Sequence, residues 1–177
     1  ANAAIALCQE HEFAHYIAMA LILRGWARTQ LGEFEKGTAE IQEGLEKERA
    51  TGGFLFDSYS LGLLADACIK NQRYEQALDV LQQAKSKLDV ENSGRFYAAE
   101  IYRLLGETYL RSKQNLEQAE HCFSEGIKIA RGQKARFLEL RLCLSICDLY
   151  GLRKKANKWR YQLGEIYFQD LKDYSSA

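Results

Sequence analysis

A short histidine-containing motif is the sequence feature that most directly suggests chemistry. His11, Glu12 and His15 match the pattern H-E-x-x-H. On a continuous helix this spacing places two imidazoles on one face, where they can bind Zn²⁺, and the glutamate can act as general base. Here, however, the motif spans the junction between two predicted helices, and a third ligand is still needed. The motif defines one hypothesis for function, a zinc-dependent hydrolase.

Cysteine and histidine side chains elsewhere are weaker candidates for chemistry. Cys143 and Cys147 share a helical face at i, i+4, and His121 and Cys122 form a possible partner pair. The same cysteines also occupy small or apolar positions of a helical repeat, where thiols pack as hydrophobic groups. The chain has five cysteines, an odd number, without a C-x-x-C pair. We therefore expect reduced core thiols in a cytosolic protein, without a metal or other cofactor.

A basic segment near the C-terminal end suggests another alternative, contact with nucleic acid. Its interleaved Trp159 and Tyr161 could stack on bases. The other interpretation is a solvent-facing helix surface whose aromatic side chains point inward. Over the whole chain, 24 Lys and Arg residues balance 24 Asp and Glu residues, which does not favour a nucleic-acid-binding or membrane-surface protein. The basic positions are Arg153, Lys154, Lys155, Lys158 and Arg160.

Length and composition predict a single helical domain covering residues 1–177. The chain is 47% hydrophobic and contains no proline, which favours a sizeable core and long uninterrupted helices. It starts with Ala1 rather than methionine, so we expect a segment of a longer protein. The apolar run 16–23 is too short to span a bilayer, and the opening residues lack the basic start of a signal peptide. These features favour a cytoplasmic location.

Apolar spacing and turn residues predict antiparallel helix pairs. Leu61, Leu64, Ala65 and Cys68 follow the i, i+3, i+4, i+7 stripe of an amphipathic helix. Short polar breaks between such stripes force neighbouring helices to run antiparallel. Residues 1–9 are expected to be the second helix of a preceding pair. The predicted pairs are 12–30 with 34–49, 57–71 with 74–88, 96–112 with 116–131, and 135–149 with 153–169.

The pairs resemble one another in the manner of tetratricopeptide repeats. The third pair carries the pattern W-x2-L-G-x2-Y followed by A-x3-F most clearly. A small residue recurs in the first helix at Gly25, Ala65 and Gly106, at steps of about 40 residues where roughly 34 are usual. Such a residue lets the two helices of a pair approach closely. The matching residues of the third pair are Tyr102, Leu105, Gly106, Tyr109, Ala119 and Phe123.

Stacked pairs of this kind predict an all-α fold, a right-handed superhelical solenoid of tetratricopeptide-like antiparallel helix pairs. The first pair departs from the pattern. Arg24 and Arg28 lie where the repeat favours apolar side chains. We therefore expect a local rearrangement in that pair.

Particular stretches resemble one family of proteins. They are Leu-Arg-Gly-Trp-Ala (23–27), Leu-Gly-Glu-Phe-Glu-Lys-Gly (31–37), Arg-Ala-Thr-Gly-Gly (49–53) and, most specifically, residues 95–107. They are similar to the C-terminal tetratricopeptide-like region of large bacterial signalling proteins that also contain a class III nucleotidyl cyclase or DNA-binding domain and a signal-transduction NTPase. The resemblance implies a non-enzymatic regulatory scaffold that contacts a partner protein, a peptide or the NTPase and cyclase domains of its own chain. The chain itself has no G-x4-G-K-[ST] phosphate-binding loop.

The predicted partner-binding surface is the concave groove lined by the first helices of successive pairs. Its arginines and aromatic residues could hold an extended acidic or aromatic peptide. Glu100 with Arg103, and Glu107 with Arg111, equally match ordinary ion pairs on a helix surface. The predicted groove residues are Met19, Ile22, Trp26, Gln30, Tyr59, Asp66, Lys70, Glu100, Arg103, Glu107, Arg111, Arg141, Ser145 and Asp148.

Overall fold

The computed structural model describes residues 2–52, 56–88, 95–112 and 115–152. All regular elements in these ranges are helical, as predicted, and a short 3₁₀ turn over Arg95–Tyr97 precedes α6. The predicted helix 153–169 lies outside the described residues. The helices are α1 (Asn2–Glu10), α2 (Ala14–Gln30), α3 (Phe34–Ala50), α4 (Asp57–Lys70), α5 (Tyr74–Leu88), α6 (Ala98–Arg111), α7 (Leu116–Gly132) and α8 (Arg136–Leu152).

The chain divides into two compact units, Ala1–Tyr97 and Ala98–Ala177. In the first unit consecutive helices α1 to α5 pack on one another, and α2 also contacts α4. In the second unit α6, α7 and α8 pack in the same consecutive manner, and α6 also contacts α8. Each unit therefore places first helices of successive predicted pairs side by side. None of the helices in the described ranges has both the length and the hydropathy needed to cross a membrane.

One turn geometry recurs between helices. A residue with positive φ ends the helix at Glu12 (56°), Gly32 (88°), Gln72 (58°) and Lys134 (56°). The next residue then donates its backbone N–H to the carbonyl five positions back, as Arg73 does to Cys68 at 2.9 Å. This is the hydrogen bond of a Schellman cap, which satisfies a carbonyl at the helix end and reverses the chain. The turn at Glu12 explains why α2 begins at Ala14 and not at residue 12.

Charged side chains of the first pair meet between α2 and α3. Arg24 Nη2 lies 2.6 Å from Glu40 Oε1, and Arg28 Nη1 lies 3.2 Å from the same oxygen. The two arginines of α2 therefore share one carboxylate of α3, where the repeat pattern would place an apolar contact.

The core of the second unit is built around Phe123 of α7. Its side chain is fully buried together with Ala119, Leu142 and Ile146. A Cβ placed on Gly106 would lie 2.4 Å from Cε1 of the Phe123 ring. Glycine at this position therefore leaves the space that the phenylalanine occupies, which confirms the close approach predicted for the third pair.

Candidate partner-binding surface

Four predicted groove residues meet on α2 and α4 in the first unit. Trp26 Nε1 donates a 2.9 Å hydrogen bond to Asp66 Oδ2, and Gln30 Nε2 donates to the same oxygen at 3.3 Å. Lys70 Nζ lies 3.4 Å from Asp66 Oδ2 and 5.9 Å from the centroid of the Trp26 ring. Lys70 also donates to Gln30 Oε1. The indole, amide, carboxylate and ammonium groups thus form one polar cluster across neighbouring first helices.

Three other predicted groove residues of this unit have different surroundings. Met19 is half-buried, and Ile22 is fully buried. The prediction that Ile22 lines an open groove is therefore wrong. Its Cγ1 would lie 2.6 Å from a Cβ on Gly44, so the side chain fills the space that this glycine leaves on α3. Tyr59 is half-buried, and burial raises the pKa of its hydroxyl.

Charged groups connect α6 and α8 in the second unit. Glu100 is buried and accepts from Arg103 Nη2 at 2.8 Å and from Arg103 Nε at 2.9 Å. Arg141 Nη1 of α8 lies 2.9 Å from Glu100 Oε1. The bidentate pair and the second arginine compensate the charge of the buried carboxylate, which would otherwise be costly.

The same network extends along the two helices. Arg103 pairs with Glu107, whose Oε1 also accepts a 3.0 Å hydrogen bond from Ser145 Oγ of α8. Arg111 Nη2 lies 3.9 Å from Glu107 Oε2. Asp148 is exposed. The predicted groove residues of α6 and α8 are thus neighbours in space, but Glu100, Arg103 and Ser145 are buried, and the prediction that these three line an open groove is wrong.

The accessible part of this network is cationic. The side chains of Arg111 and Arg141 are 57% and 39% exposed, whereas that of Glu107 is 19% exposed and that of Glu100 is 3% exposed. Arg103 is also buried, so it holds the network together and offers little surface to a partner. Guanidinium groups exposed in this way can bind carboxylates with two parallel hydrogen bonds.

The histidine motif does not lie on one continuous helix. α1 ends at Glu10 and α2 begins at Ala14, and Glu12 has a φ of 56° in the intervening turn. His11 therefore belongs to the turn and His15 to the first turn of α2, so the geometry on which the zinc hypothesis depends is missing. Within the described residues, His, Cys, Asp and Glu side chains do not form a group of three or more that could hold a metal ion.

The five cysteines, all within the described residues, are thiols rather than disulfides, and they differ in burial. Cys68, Cys122 and Cys143 are buried, whereas Cys8 and Cys147 are partly accessible. Burial raises the pKa of Cys68 to about 11 and contributes most to the similar value of Cys143, which Glu139 raises further. Thiols with such values are poor nucleophiles near neutral pH. The basic positions Arg153, Lys154, Lys155, Lys158 and Arg160 lie outside the described residues.

Sequence reasoning missed a buried acidic pair between α3 and α4. Glu48 and Asp57 are both inaccessible, and Ser60 Oγ donates to Glu48 Oε2 at 3.3 Å. Lys87 Nζ of α5 lies 3.4 Å from Asp57 Oδ2. Burial, followed by the nearby Asp57 charge, raises the pKa of Glu48, while Ser60 and the His15 charge oppose that rise. A charged residue within an otherwise apolar helical stripe is the only sequence signal for such a pair.

The chain matches no protein-family model and no curated protein.

Proposed function

We propose that this chain is a non-enzymatic protein-interaction and regulatory module, built as a right-handed tetratricopeptide-like solenoid, from a cytoplasmic bacterial signalling protein. It binds an extended peptide, a partner protein or a neighbouring domain of its own chain through the exposed face of its first helices. Any catalytic domain is then separate from this segment.

The observation that carries the proposal is the contact between first helices of successive pairs. The Trp26–Asp66 hydrogen bond joins α2 to α4, and the Arg141–Glu100 ion pair joins α6 to α8. In tetratricopeptide arrays, side-by-side first helices form the concave surface, so these contacts support a groove of the predicted kind.

In the second unit, the chemistry of the first-helix surface favours an acidic partner. The exposed guanidinium groups of Arg111 and Arg141 attract carboxylates.

Calorimetric titration with a glutamate-rich peptide tests the proposal. We expect saturable binding that weakens with added salt, whereas a lysine-rich peptide of equal length should not bind. Arg111→Glu should weaken binding about tenfold or more, since each charge-assisted contact contributes roughly 1.5–3 kcal/mol.

Lys128 of α7 provides a matched control. It is an exposed cation on a second helix, so Lys128→Glu introduces the same change in charge away from the proposed surface. Equal losses of peptide affinity in Arg111→Glu and Lys128→Glu would indicate a nonspecific charge effect. That result, or no binding of the acidic peptide, would refute a cationic first-helix binding surface.

A further inference from the structure

Aromatic side chains of three separate segments of the first unit form a continuous row of ring contacts. Neighbouring centroids lie 4.9–6.3 Å apart, from the 5.7 Å contact of His11 with Phe13 to the 4.9 Å contact of Tyr59 with Tyr97. The segments are the entry to α2, the entry to α4 and the 3₁₀ turn before α6. We call this set the aromatic row: His11, Phe13, His15, Tyr16, Phe56, Tyr59, Phe96 and Tyr97.

The aromatic row is open to solvent. Phe13, Tyr16 and Phe96 are 54%, 63% and 51% exposed. Several neighbours meet edge to face, such as Phe56 with Phe96 at an interplanar angle of 73°, and therefore do not cover one another as a parallel stack would. Contiguous exposed apolar surface is uncommon on proteins and marks sites of interaction.

The row is separate from the polar cluster of Trp26 and Asp66. His15 and Tyr16 belong to the first turn of α2, whereas Trp26 belongs to its last turns. At 1.5 Å per residue, Tyr16 and Trp26 are about 15 Å apart along the helix axis. The row includes one predicted groove residue, Tyr59, but neither the Trp26 cluster nor the exposed arginines of the second unit, so the inference does not depend on the proposed function.

Charge at the ends of the row is asymmetric. Exposed Glu10 and Glu12 flank His11 at one end, and exposed Arg95 precedes Phe96 at the other. A bound chain that carries a cationic residue at one end would therefore be oriented, with that residue beside the two glutamates. The cation would also gain from the adjacent ring faces.

We propose that the aromatic row binds a proline-rich segment of a partner protein with a basic residue at one end. Proline-rich chains adopt the extended polyproline II conformation and dock on aromatic-lined surfaces with little loss of entropy. The chain itself contains no proline, so the ligand comes from another molecule or from sequence beyond these residues.

Calorimetric titration of the whole chain with a decaproline peptide that bears two arginines at one end tests this proposal. We expect saturable binding. A peptide with glutamates in place of the arginines, and a Gly/Ser peptide that keeps the arginines, should each bind about tenfold more weakly or not at all. Equal binding of all three peptides, or no saturable binding of the first, would overturn the proposal.

Two aromatic variants and one charge variant locate the site. Tyr16→Ala and Phe96→Ala should each weaken binding about tenfold, the loss usual for an interface anchor. Phe137→Ala, an exposed aromatic residue of the second unit, should not change it. Glu12→Lys should remove the preference for the arginine-bearing peptide over the glutamate-bearing one. Circular dichroism and melting temperature verify that each variant is folded.

Sedimentation of the same variants tests whether a second copy of this chain, rather than a proline-rich ligand, covers the aromatic row. If the parent chain self-associates, and both Tyr16→Ala and Phe96→Ala convert it to a monomer without affecting peptide binding, then the row is an interface between copies. That outcome would refute the proline-rich ligand. An unchanged sedimentation profile combined with weaker peptide binding supports it.

Discussion

Gly25 of α2 and Gly37 of α3 face each other at the crossing of their helices. A Cβ on Gly25 would lie 2.6 Å from the carbonyl oxygen of Gly37, and a Cβ on Gly37 would lie 2.5 Å from the carbonyl oxygen of Gly25. The two backbones therefore touch directly. Because the obstacle on each side is main chain, a side chain at either position can be accommodated only if the helices move apart.

The reciprocal contact predicts non-additive substitutions. Gly25→Ala and Gly37→Ala should each lower the free energy of unfolding by about 1–3 kcal/mol, despite the better helix propensity of alanine. The double variant should lose less stability than the sum of the two single losses, because the first substitution already separates the helices. Urea denaturation measures all three. Gly132→Ala, with open space around its Cβ, should show no loss.

A second close approach predicts that Gly106→Leu is destabilising. The added side chain would collide with the fully buried ring of Phe123, so we expect a loss of about 1–3 kcal/mol or more. Gly132→Leu at the solvent-exposed end of α7 is the control and should be nearly neutral. A Gly106→Leu protein that melts at or above the parent temperature would show that the α6–α7 packing described above is incorrect.

Glu48 should make the fold less stable as pH rises. Burial and Asp57 raise its pKa in the folded state, so its neutral form favours folding, and this contribution is lost as pH increases from about 4.5 through the raised folded-state pKa. Glu48→Gln should therefore stabilise the protein at pH 7, by about the 0.5–2 kcal/mol typical of one stabilising substitution. It should have little effect at pH 4.

Chemical denaturation at these two pH values measures the Glu48 effect. Glu46→Gln, on the exposed side of the same helix, is the control and should alter stability similarly at both pH values. A loss of stability in Glu48→Gln at pH 7 would mean that the charged carboxylate is favourable where it lies.

Substitutions of Arg103 and Arg111 should have very different effects on the free energy of unfolding, although both residues belong to the α6 network. Arg103→Met removes the bidentate partner of buried Glu100, and breaking a buried ion pair in this way costs about 3–5 kcal/mol, which the remaining Arg141 contact would partly offset. Arg111→Ala removes an exposed arginine and should change stability by less than about 1 kcal/mol. Thermal melts compare the two variants. Similar losses of stability would contradict the different burial of the two side chains.

The helices were predictable because their signals are local. The stripe of Leu61, Leu64, Ala65 and Cys68 predicts a helix over 57–71, and α4 ends within one residue of that prediction, at Lys70. The proximity of Gly106 to the second helix followed from the tetratricopeptide pattern. The neighbouring positions of Trp26 and Asp66 followed from the same register.

Features that depend on tertiary contacts were not predictable. Ile22 is buried because Gly44 lets α3 approach α2, a relation between positions that no helical stripe encodes. The junction between α1 and α2 was predicted, but the positive φ of Glu12 within it was not, because glutamate rarely adopts that conformation. The aromatic row joins segments that are distant in the chain, such as Phe56 and Phe96, so only the folded structure places them together.

The same turn recurs at Glu12, Gly32, Gln72 and Lys134. The number of residues between successive helices is therefore itself constrained. Each added residue advances a helix by about 100°. If the turn keeps its form, one residue inserted between Arg73 and Ala77 would rotate the buried positions of α5 out of phase with α4. Such an insertion would disrupt the core as a polar substitution does, although it removes no side chain. Substitution of surface residues is therefore compatible with the fold, whereas an insertion or deletion that changes the phase of a helix is not.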